Sequence, residues 1–113
     1  MILSFAHTTQ QFLDGTKSVT RRQWKPRQLA MWQRAWDKGR LEHDAVDKDM
    51  RAGGKKIGRF RLTARPYLEA LKDMPDSDLA AEGFPQFATT RQYITFMGAD
   101  REEVLAVVRF QKI

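Results

Sequence analysis

The stretch Glu103–Ile113, EVLAVVRFQKI, predicts one long β-strand. Successive side chains of a strand face opposite sides, which here separates Leu105, Val107, Arg109 and Gln111 from Val104, Ala106, Val108, Phe110 and Lys112. A second, shorter strand is predicted at Ile2–Phe5, which is apolar and partly β-branched. Strands near both ends of the sequence, with short helices between them, predict an α+β fold, a small mixed β-barrel with short flanking helices.

Helices are predicted where apolar residues recur at helical spacing behind a capping residue or proline. The expected ones run from Thr8 or Thr9 to Gly15, from Pro26 to Gly39, from Ser77 or Asp78 towards Phe84, and from Thr89 to Gly98. In the second helix Leu29, Trp32 and Trp36 form an apolar stripe, which we interpret as core packing. The segment Tyr67–Leu71 is expected to form only a short turn after Pro66.

Length and composition exclude several classes of protein. The 113 residues predict a single domain, and a chain of this size needs no metal or disulfide to fold. Without cysteine there is no disulfide scaffold, thiolate zinc site or cysteine nucleophile. The N-terminal residues lack the features of a signal peptide, and the longest apolar run, Val104–Val108, is far shorter than the ~20 residues of a membrane span. We therefore expect a soluble, cytoplasmic protein with no membrane partner.

The net charge of +6, from 20 Lys plus Arg against 14 Asp plus Glu, is unevenly distributed. Basic residues concentrate between Lys17 and Arg65, whereas the segment Glu69–Glu82 is mainly acidic. A basic field attracts polyanions, so a nucleic acid, a nucleotide or another phosphate-bearing partner is favoured. A basic surface that only keeps the protein in solution explains the same charge equally well.

A glycine-rich basic turn, Arg51–Lys56, separates two strand-like stretches, Ala45–Lys48 and Ile57–Ala64. The turn lacks the GxxxxGK[ST] spacing of a P-loop. Backbone N–H groups and basic side chains of such a turn can still hold phosphate, and the candidates are Arg51, Lys55, Lys56 and Arg59. An exposed hairpin tip without a ligand is an equally good interpretation.

Motifs for metal or histidine chemistry are absent from the sequence. His7 and His43 stand in no HExxH or HxH arrangement, and no GxSxG elbow occurs. An enzyme with this sequence is therefore expected to work without a metal or other cofactor. The densest candidate for a functional site is Gly15–Trp24, where polar and charged side chains follow a glycine closely.

Within that segment Gly15, Lys17, Thr20 and Arg22 form the pattern G-x-K-x-x-T-x-R. This pattern resembles the signature of the ASCH domain family within the PUA-like superfold. Further similarities lie in the strand and helix before the motif, in an acidic segment after it and in the closing strand: Ile2–Leu13, Ala81-Glu82-Gly83-Phe84 and Val104–Ile113. The resemblance thus covers nearly the whole chain as one ASCH-like domain of PUA-like barrel type, with residues 26–39 as a helical insertion relative to the shortest members.

The resemblance implies a cleft, floored by the motif, that takes RNA or a nucleobase-bearing ligand. Some small bacterial members hydrolyse N4-acetylcytidine to cytidine and acetate with a lysine, a threonine and a glutamate. By motif position these residues are Lys17, Thr20 and Glu82, with Asp78 and Glu69 as alternatives to Glu82. The alternative function that the resemblance allows is a non-catalytic module that binds RNA or a modified nucleoside in the same cleft.

The proposed chemistry places conditions on these residues. Thr20 can act as the nucleophile, and Lys17 can be its base only if the lysine pKa falls from ~10.4 towards neutrality, which burial and the neighbouring Arg21 and Arg22 favour. Glu82 is then expected to orient Lys17 and carry a proton to the leaving amine. Because residues three apart on a regular strand face opposite sides, Lys17 and Thr20 can meet only if a turn or bulge interrupts this segment.

Substrate-binding candidates surround the catalytic ones. Arg21 lies next to Thr20, and Arg22 can hold a base carbonyl or a phosphate with two parallel hydrogen bonds. Three aromatic residues are candidates for stacking on a base: Trp24, Tyr67 and Phe84. Each of these three is equally well explained as part of the core.

Overall fold

Six β-strands and four α-helices follow one another in a computed structural model that describes residues 1–113. The strands are β1 (Ile2–Ser4), β2 (Val19–Arg22), β3 (Glu42–Val46), β4 (Lys56–Leu62), β5 (Tyr67–Ala70) and β6 (Val104–Lys112). The helices are α1 (Thr9–Leu13), α2 (Pro26–Asp37), α3 (Asp78–Glu82) and α4 (Thr90–Met97). The predicted α+β class is confirmed. None of the helices is both long and apolar enough to cross a membrane.

The long strand β6 organises the sheet, as its alternating sequence predicts. β2 pairs antiparallel with one edge of β6, so that Thr20 lies opposite Val108. β4 and β5 pair in succession with its other edge. Beyond β4 the sheet continues through antiparallel β3 to parallel β1, which gives a mixed six-stranded sheet in the order β1-β3-β4-β6-β2, with β5 beside β6.

The sheet does not close, so the prediction of a β-barrel is wrong. The terminal strands β1 and β2 do not pair. Instead, α3 covers the edge of β2 that faces away from β6, where Ser18 N–H donates to the Ala81 carbonyl (2.8 Å) and Arg21 N–H donates to Glu82 Oε1 (3.1 Å). Only a side chain crosses to β1, since Arg22 Nη2 donates to the Ser4 carbonyl. Contacts of α3 with Ser18, just before β2, and with Arg21 therefore partly cover this edge of the sheet.

Apolar side chains pack on both faces of β6. One cluster contains the residues that face α1 and α2, among them Phe5, Phe12, Trp32, Phe60, Val108 and Phe110. A smaller cluster of Leu71, Met74, Leu79 and Ile94 lies with Leu105 on the side of α3 and α4. The middle of β6 is therefore buried on both sides, which explains its nearly continuous apolar sequence.

Two segments differ from the prediction because long-range pairing overrides local signals. Tyr67–Ala70 forms strand β5 instead of a turn, since the upstream half of β6 offers it an unpaired edge. β3 begins earlier than predicted and ends at Val46, because the Asp47 carboxylate accepts a hydrogen bond from Lys55 N–H (2.7 Å) and closes the hairpin there. The second helix begins at Pro26 as predicted and ends at Asp37, just before Gly39 in the left-handed region.

In the hairpin turn, substitutions at the two glycines, Gly53 and Gly54, are expected to differ sharply in their effect on stability. A Cβ on Gly54 would lie 2.0 Å from the Lys48 carbonyl oxygen, whereas a Cβ on Gly53 meets nothing within 4 Å. We expect Gly54→Ala to lower the free energy of unfolding by about 1–3 kcal/mol, because the backbone of the turn must move. Gly53→Asn is the control, since asparagine tolerates the left-handed conformation at that position (φ 81°). Equal urea midpoints for the two variants would contradict this account.

Candidate active site

A cavity of about 300 Å³ lies beside the edge of β2 that faces away from β6. The turn after β1, the motif segment, α3 and α4 all contribute to its wall. The lining residues are Ser4, Phe5, Ala6, His7, Thr8, Lys17, Thr20, Arg21, Arg22, Glu82, Phe84 and Tyr93. The structure therefore brings together Lys17, Thr20 and Glu82, the three residues that the sequence predicts to be catalytic, although they belong to distant parts of the chain.

The Lys17 side chain reaches this cavity because Lys17 precedes β2. The alternation of side-chain directions along the strand therefore does not apply to it. Its own N–H donates to the Gln11 carbonyl (3.1 Å), and the next residue, Ser18, is bound to α3. The side chain is 2% exposed. Its Nζ donates to the backbone carbonyl of Glu82 and lies 3.6 Å from Glu82 Oε1. The segment Lys17–Ser18, which lies outside β2, is thus the interruption of the strand that the proposed chemistry requires between Lys17 and Thr20.

Burial lowers the pKa of Lys17 from 10.5 to about 8. The positive charges of Arg22 and Arg21 act in the same direction, while Glu82 opposes them by its charge and by its hydrogen bond. Near neutral pH a measurable fraction of this amine is therefore unprotonated, and that form can accept a proton.

Thr20 is 4% exposed and lies on the same face of β2 as Arg22. Its Oγ1 accepts a hydrogen bond from Arg22 Nε (3.0 Å) and donates to no acceptor within the chain. Arg22 is fixed in turn by its bond to the Ser4 carbonyl and by the Phe5 ring, whose centroid is 5.5 Å from Cζ. The Nε and Nη2 groups of Arg22 are therefore bound within the chain, whereas Nη1 makes no hydrogen bond there, and the predicted grip of Arg22 on a ligand stays a prediction.

Arg21 faces the opposite side of β2 and meets three carboxylates. Its Nη2 lies 2.7 Å from Glu69 Oε1 and 2.8 Å from Asp78 Oδ2, and its Nη1 lies 3.2 Å from Glu82 Oε2. The side chain is 4% exposed. Burial lowers the pKa of Arg21, but the hydrogen bonds that Arg21 donates to Asp78 and Glu69 outweigh that effect and raise the pKa above its usual value. The guanidinium is consequently engaged with these three carboxylates, although Arg21 also lines the cavity, and its predicted contact with substrate stays a prediction.

The three predicted stacking residues occupy different places. Phe84 lines the cavity beside Tyr93, with ring centroids 5.3 Å apart. Trp24 stacks on Trp32 of α2 (5.4 Å) and packs against the core, outside the cavity wall. The Tyr67 hydroxyl accepts a hydrogen bond from Arg109 Nε (3.1 Å) and does not line the cavity either.

The basic hairpin residues do not line the cavity. Lys56 and Arg59 form exposed ion pairs with Asp44, at 3.2 and 3.0 Å. Arg51 and Lys55 are exposed and form no ion pair. The hairpin leaves the sheet where β1 also ends, since Phe5 N–H donates to the Val46 carbonyl (2.9 Å).

Several cavity residues were not predicted from the sequence. Tyr93 occupies a helix position that the spacing assigns to the core, and the turn Phe5–Thr8 carries no motif. Outside the cavity, the sequence predicts Arg109 only as one member of an alternating strand, whereas its guanidinium donates to both oxygens of Asp78 (3.0 and 2.8 Å). A charged residue inside an apolar strand was the available signal, because burying it requires a partner.

The depressed pKa of Lys17 predicts a pH-dependent contribution to stability. The unfolded chain holds the Lys17 proton up to pH 10.5 and the folded chain only up to about 8, so stability rises with pH between these values. Relative to Lys17→Met, which lacks this group, we expect the wild-type protein to gain up to about 3 kcal/mol from pH 7 to pH 10.5. Urea unfolding of both proteins across this range measures the difference. A difference that is constant with pH would contradict the burial of a charged Lys17.

No group of three or more His, Cys, Asp or Glu side chains is arranged to hold a metal ion. Comparisons of the chain with protein-family models, with curated proteins and with solved structures found no match.

Proposed function

We propose that the chain is a small amidohydrolase of ASCH type, with a fold related to the PUA-like superfold, that removes the acyl group from N4-acetylcytidine or a related N4-acylated cytosine nucleoside. One observation carries the proposal. Lys17, Thr20 and Glu82 line one cavity, and the pKa of Lys17 is lowered to about 8. The motif resemblance names these same residues and gives the substrate class.

The first step is attack of Thr20 Oγ1 on the acyl carbon. An Oγ–C bond forms, the hydroxyl proton passes to the neutral Nζ of Lys17, and the carbonyl electrons move to oxygen. Arg22 Nε, 3.0 Å from Oγ1, stabilises negative charge on the nucleophile as its proton leaves. Candidate donors for the developing oxyanion are the backbone N–H groups of Ala6 and His7, since both residues line the cavity and their N–H groups make no hydrogen bond to other backbone atoms.

The second step breaks the bond between the acyl carbon and N4. The leaving amine takes up the proton from Lys17, directly or through the Glu82 carboxylate 3.6 Å away, and cytidine is released. Water then attacks the Thr20 ester with Lys17 again as base, which releases acetate and restores the hydroxyl. Each turnover consumes one water molecule and leaves the protein unchanged.

The cavity has the size and lining for a nucleobase. Its volume of about 300 Å³ is at the lower end of the range for small-ligand sites. Phe84 and Tyr93 supply aromatic surface against which a base can stack. Helix α2, which corresponds to the predicted insertion, contributes no residue to the lining and so leaves room for the same substrate.

The alternative function is a binding module for RNA that contains a modified cytidine. The unpaired basic side chains of the hairpin favour it, because the hairpin emerges beside the turn Phe5–Thr8 that lines the cavity. Such a module needs Lys and Arg side chains and has no use for the Thr20 hydroxyl. A binder would hold acetylcytidine-containing RNA without releasing acetate.

The substrate class is tested by incubating the protein with N4-acetylcytidine and measuring cytidine and acetate by NMR spectroscopy. We expect both products in equal amounts. An O-acetylated cytidine is the control for unspecific ester cleavage and should react more slowly. Binding without either product would favour the RNA-binding alternative, and neither binding nor product would overturn both proposals.

A further inference from the structure

Arg21 connects the catalytic carboxylate to an ion-pair network outside the cavity. It contacts Glu82 twice, through its backbone N–H to Oε1 (3.1 Å) and through its Nη1 to Oε2 (3.2 Å). Each carboxylate oxygen therefore has a donor from the same residue. This arrangement fixes both the position and the rotation of the carboxylate beside Lys17.

The other side of the guanidinium is anchored as well. Its Nη2 is held by Glu69 of β5 and Asp78 of α3, at 2.7 and 2.8 Å. Asp78 accepts two further hydrogen bonds from Arg109 of β6 (3.0 and 2.8 Å), whose Nε donates to the Tyr67 hydroxyl. Burial raises the pKa of Asp78, but these guanidinium hydrogen bonds outweigh it and hold the pKa below its usual value. The Asp78 carboxylate thus stays ionised beside the Arg21 guanidinium.

We propose that Arg21 is a positioning residue, which holds the Glu82 carboxylate against Lys17 and is itself fixed by Glu69 and by the Asp78–Arg109 pair. This inference rests on the proposed hydrolase function. Arg21 needs no contact with substrate for this role, and its 4% exposure agrees with that. The three carboxylates explain why an arginine is required, since only a guanidinium presents several donors in a rigid fork.

The charged and titratable groups around Lys17 determine how the loss of Arg21 changes the protonation of Lys17. They are Glu82 from α3, Arg21 and Arg22 from β2, His7 before α1 and Tyr93 from α4. Removing the Arg21 charge takes away one repulsion on the protonated amine and frees Glu82 to attract it more strongly. Both changes favour the protonated form of Lys17, so the base titrates at higher pH.

Two substitutions separate geometry from charge. Arg21→Lys keeps the positive charge but cannot bridge three carboxylates, so we expect kcat to fall about tenfold, with an unchanged KM and an unchanged pH profile. Arg21→Met removes the charge as well, so we expect kcat to fall about 100-fold and the pH profile to move to higher pH. Arg61→Lys, on an exposed part of β4, is the control and should behave as wild type.

The measurements are steady-state rates on N4-acetylcytidine per folded molecule and NMR titration of the Lys17 side-chain amine without substrate. Wild-type kcat in Arg21→Lys would overturn the proposal. The proposal would also be overturned if Arg21→Met lowered only the fraction of folded protein. In that case the Lys17 titration and the rate per folded molecule would be unchanged. If wild-type protein releases no cytidine, the proposed function fails, while the Lys17 titrations still test the role of Arg21.

Discussion

Thr20→Val is expected to lower the rate of N4-acetylcytidine hydrolysis by at least about 10³-fold, because valine keeps the shape of the side chain and removes the nucleophilic oxygen. The fold should persist, since Thr20 lies in a strand in which valine is favoured. The loss of the acceptor leaves Arg22 Nε without its partner at 3.0 Å, which we expect to cost about 1–3 kcal/mol of stability. Substrate affinity should change little.

Thr20→Ser is the matched control, since it keeps a hydroxyl at the same position and should retain measurable hydrolysis. Circular dichroism and urea unfolding establish that both variants are folded, and equilibrium dialysis with N4-acetylcytidine compares binding. Turnover by Thr20→Val within tenfold of the wild-type rate would show that another group is the nucleophile.

The second large effect is the dependence of the hydrolysis rate on pH, which we expect Lys17 to determine. Because only the neutral amine can accept the Thr20 proton, kcat/KM should rise with pH and level off above about 8, the pKa of Lys17 in the folded protein. Below that value the neutral fraction falls tenfold per pH unit, so activity at pH 6 should be about a hundredth of the plateau. Lys17→Arg should be inactive at every pH, since a guanidinium stays protonated.

Initial rates between pH 5.5 and pH 9.5 at low substrate concentration measure this profile. The Arg61→Lys variant should reproduce the wild-type curve. A flat profile across this range, or activity of Lys17→Arg comparable to wild type, would contradict a lysine base.

The sequence predicts the elements of the fold better than their assembly. The alternation in Glu103–Ile113 predicts β6 correctly, because that signal is local. The barrel prediction is wrong because closure depends on how far apart β1 and β2 lie and on α3 occupying the edge of β2. Neither property is encoded in a short stretch of sequence. The same holds for β5, which forms only because β6 offers it an edge.

The site shows the same division between local and long-range information. The motif spacing predicts Lys17 and Thr20 as site residues, and the condition that a turn must separate them follows from strand geometry. The role of Arg21 could not be predicted, because it depends on β2 placing Arg21 on the face that meets Asp78 and Glu69. Trp24 likewise needs the position of α2 before it can be assigned to the core.

The most direct test of the hydrolase proposal compares wild-type protein with Lys17→Ala on N4-acetylcytidine in the presence of a chelator. Chromatography follows the appearance of cytidine. We predict turnover by the wild-type protein that the chelator does not reduce, and no turnover above background by Lys17→Ala. No cytidine from the wild-type protein, or equal rates for the two proteins, would contradict a catalytic centre built on Lys17, Thr20 and Glu82.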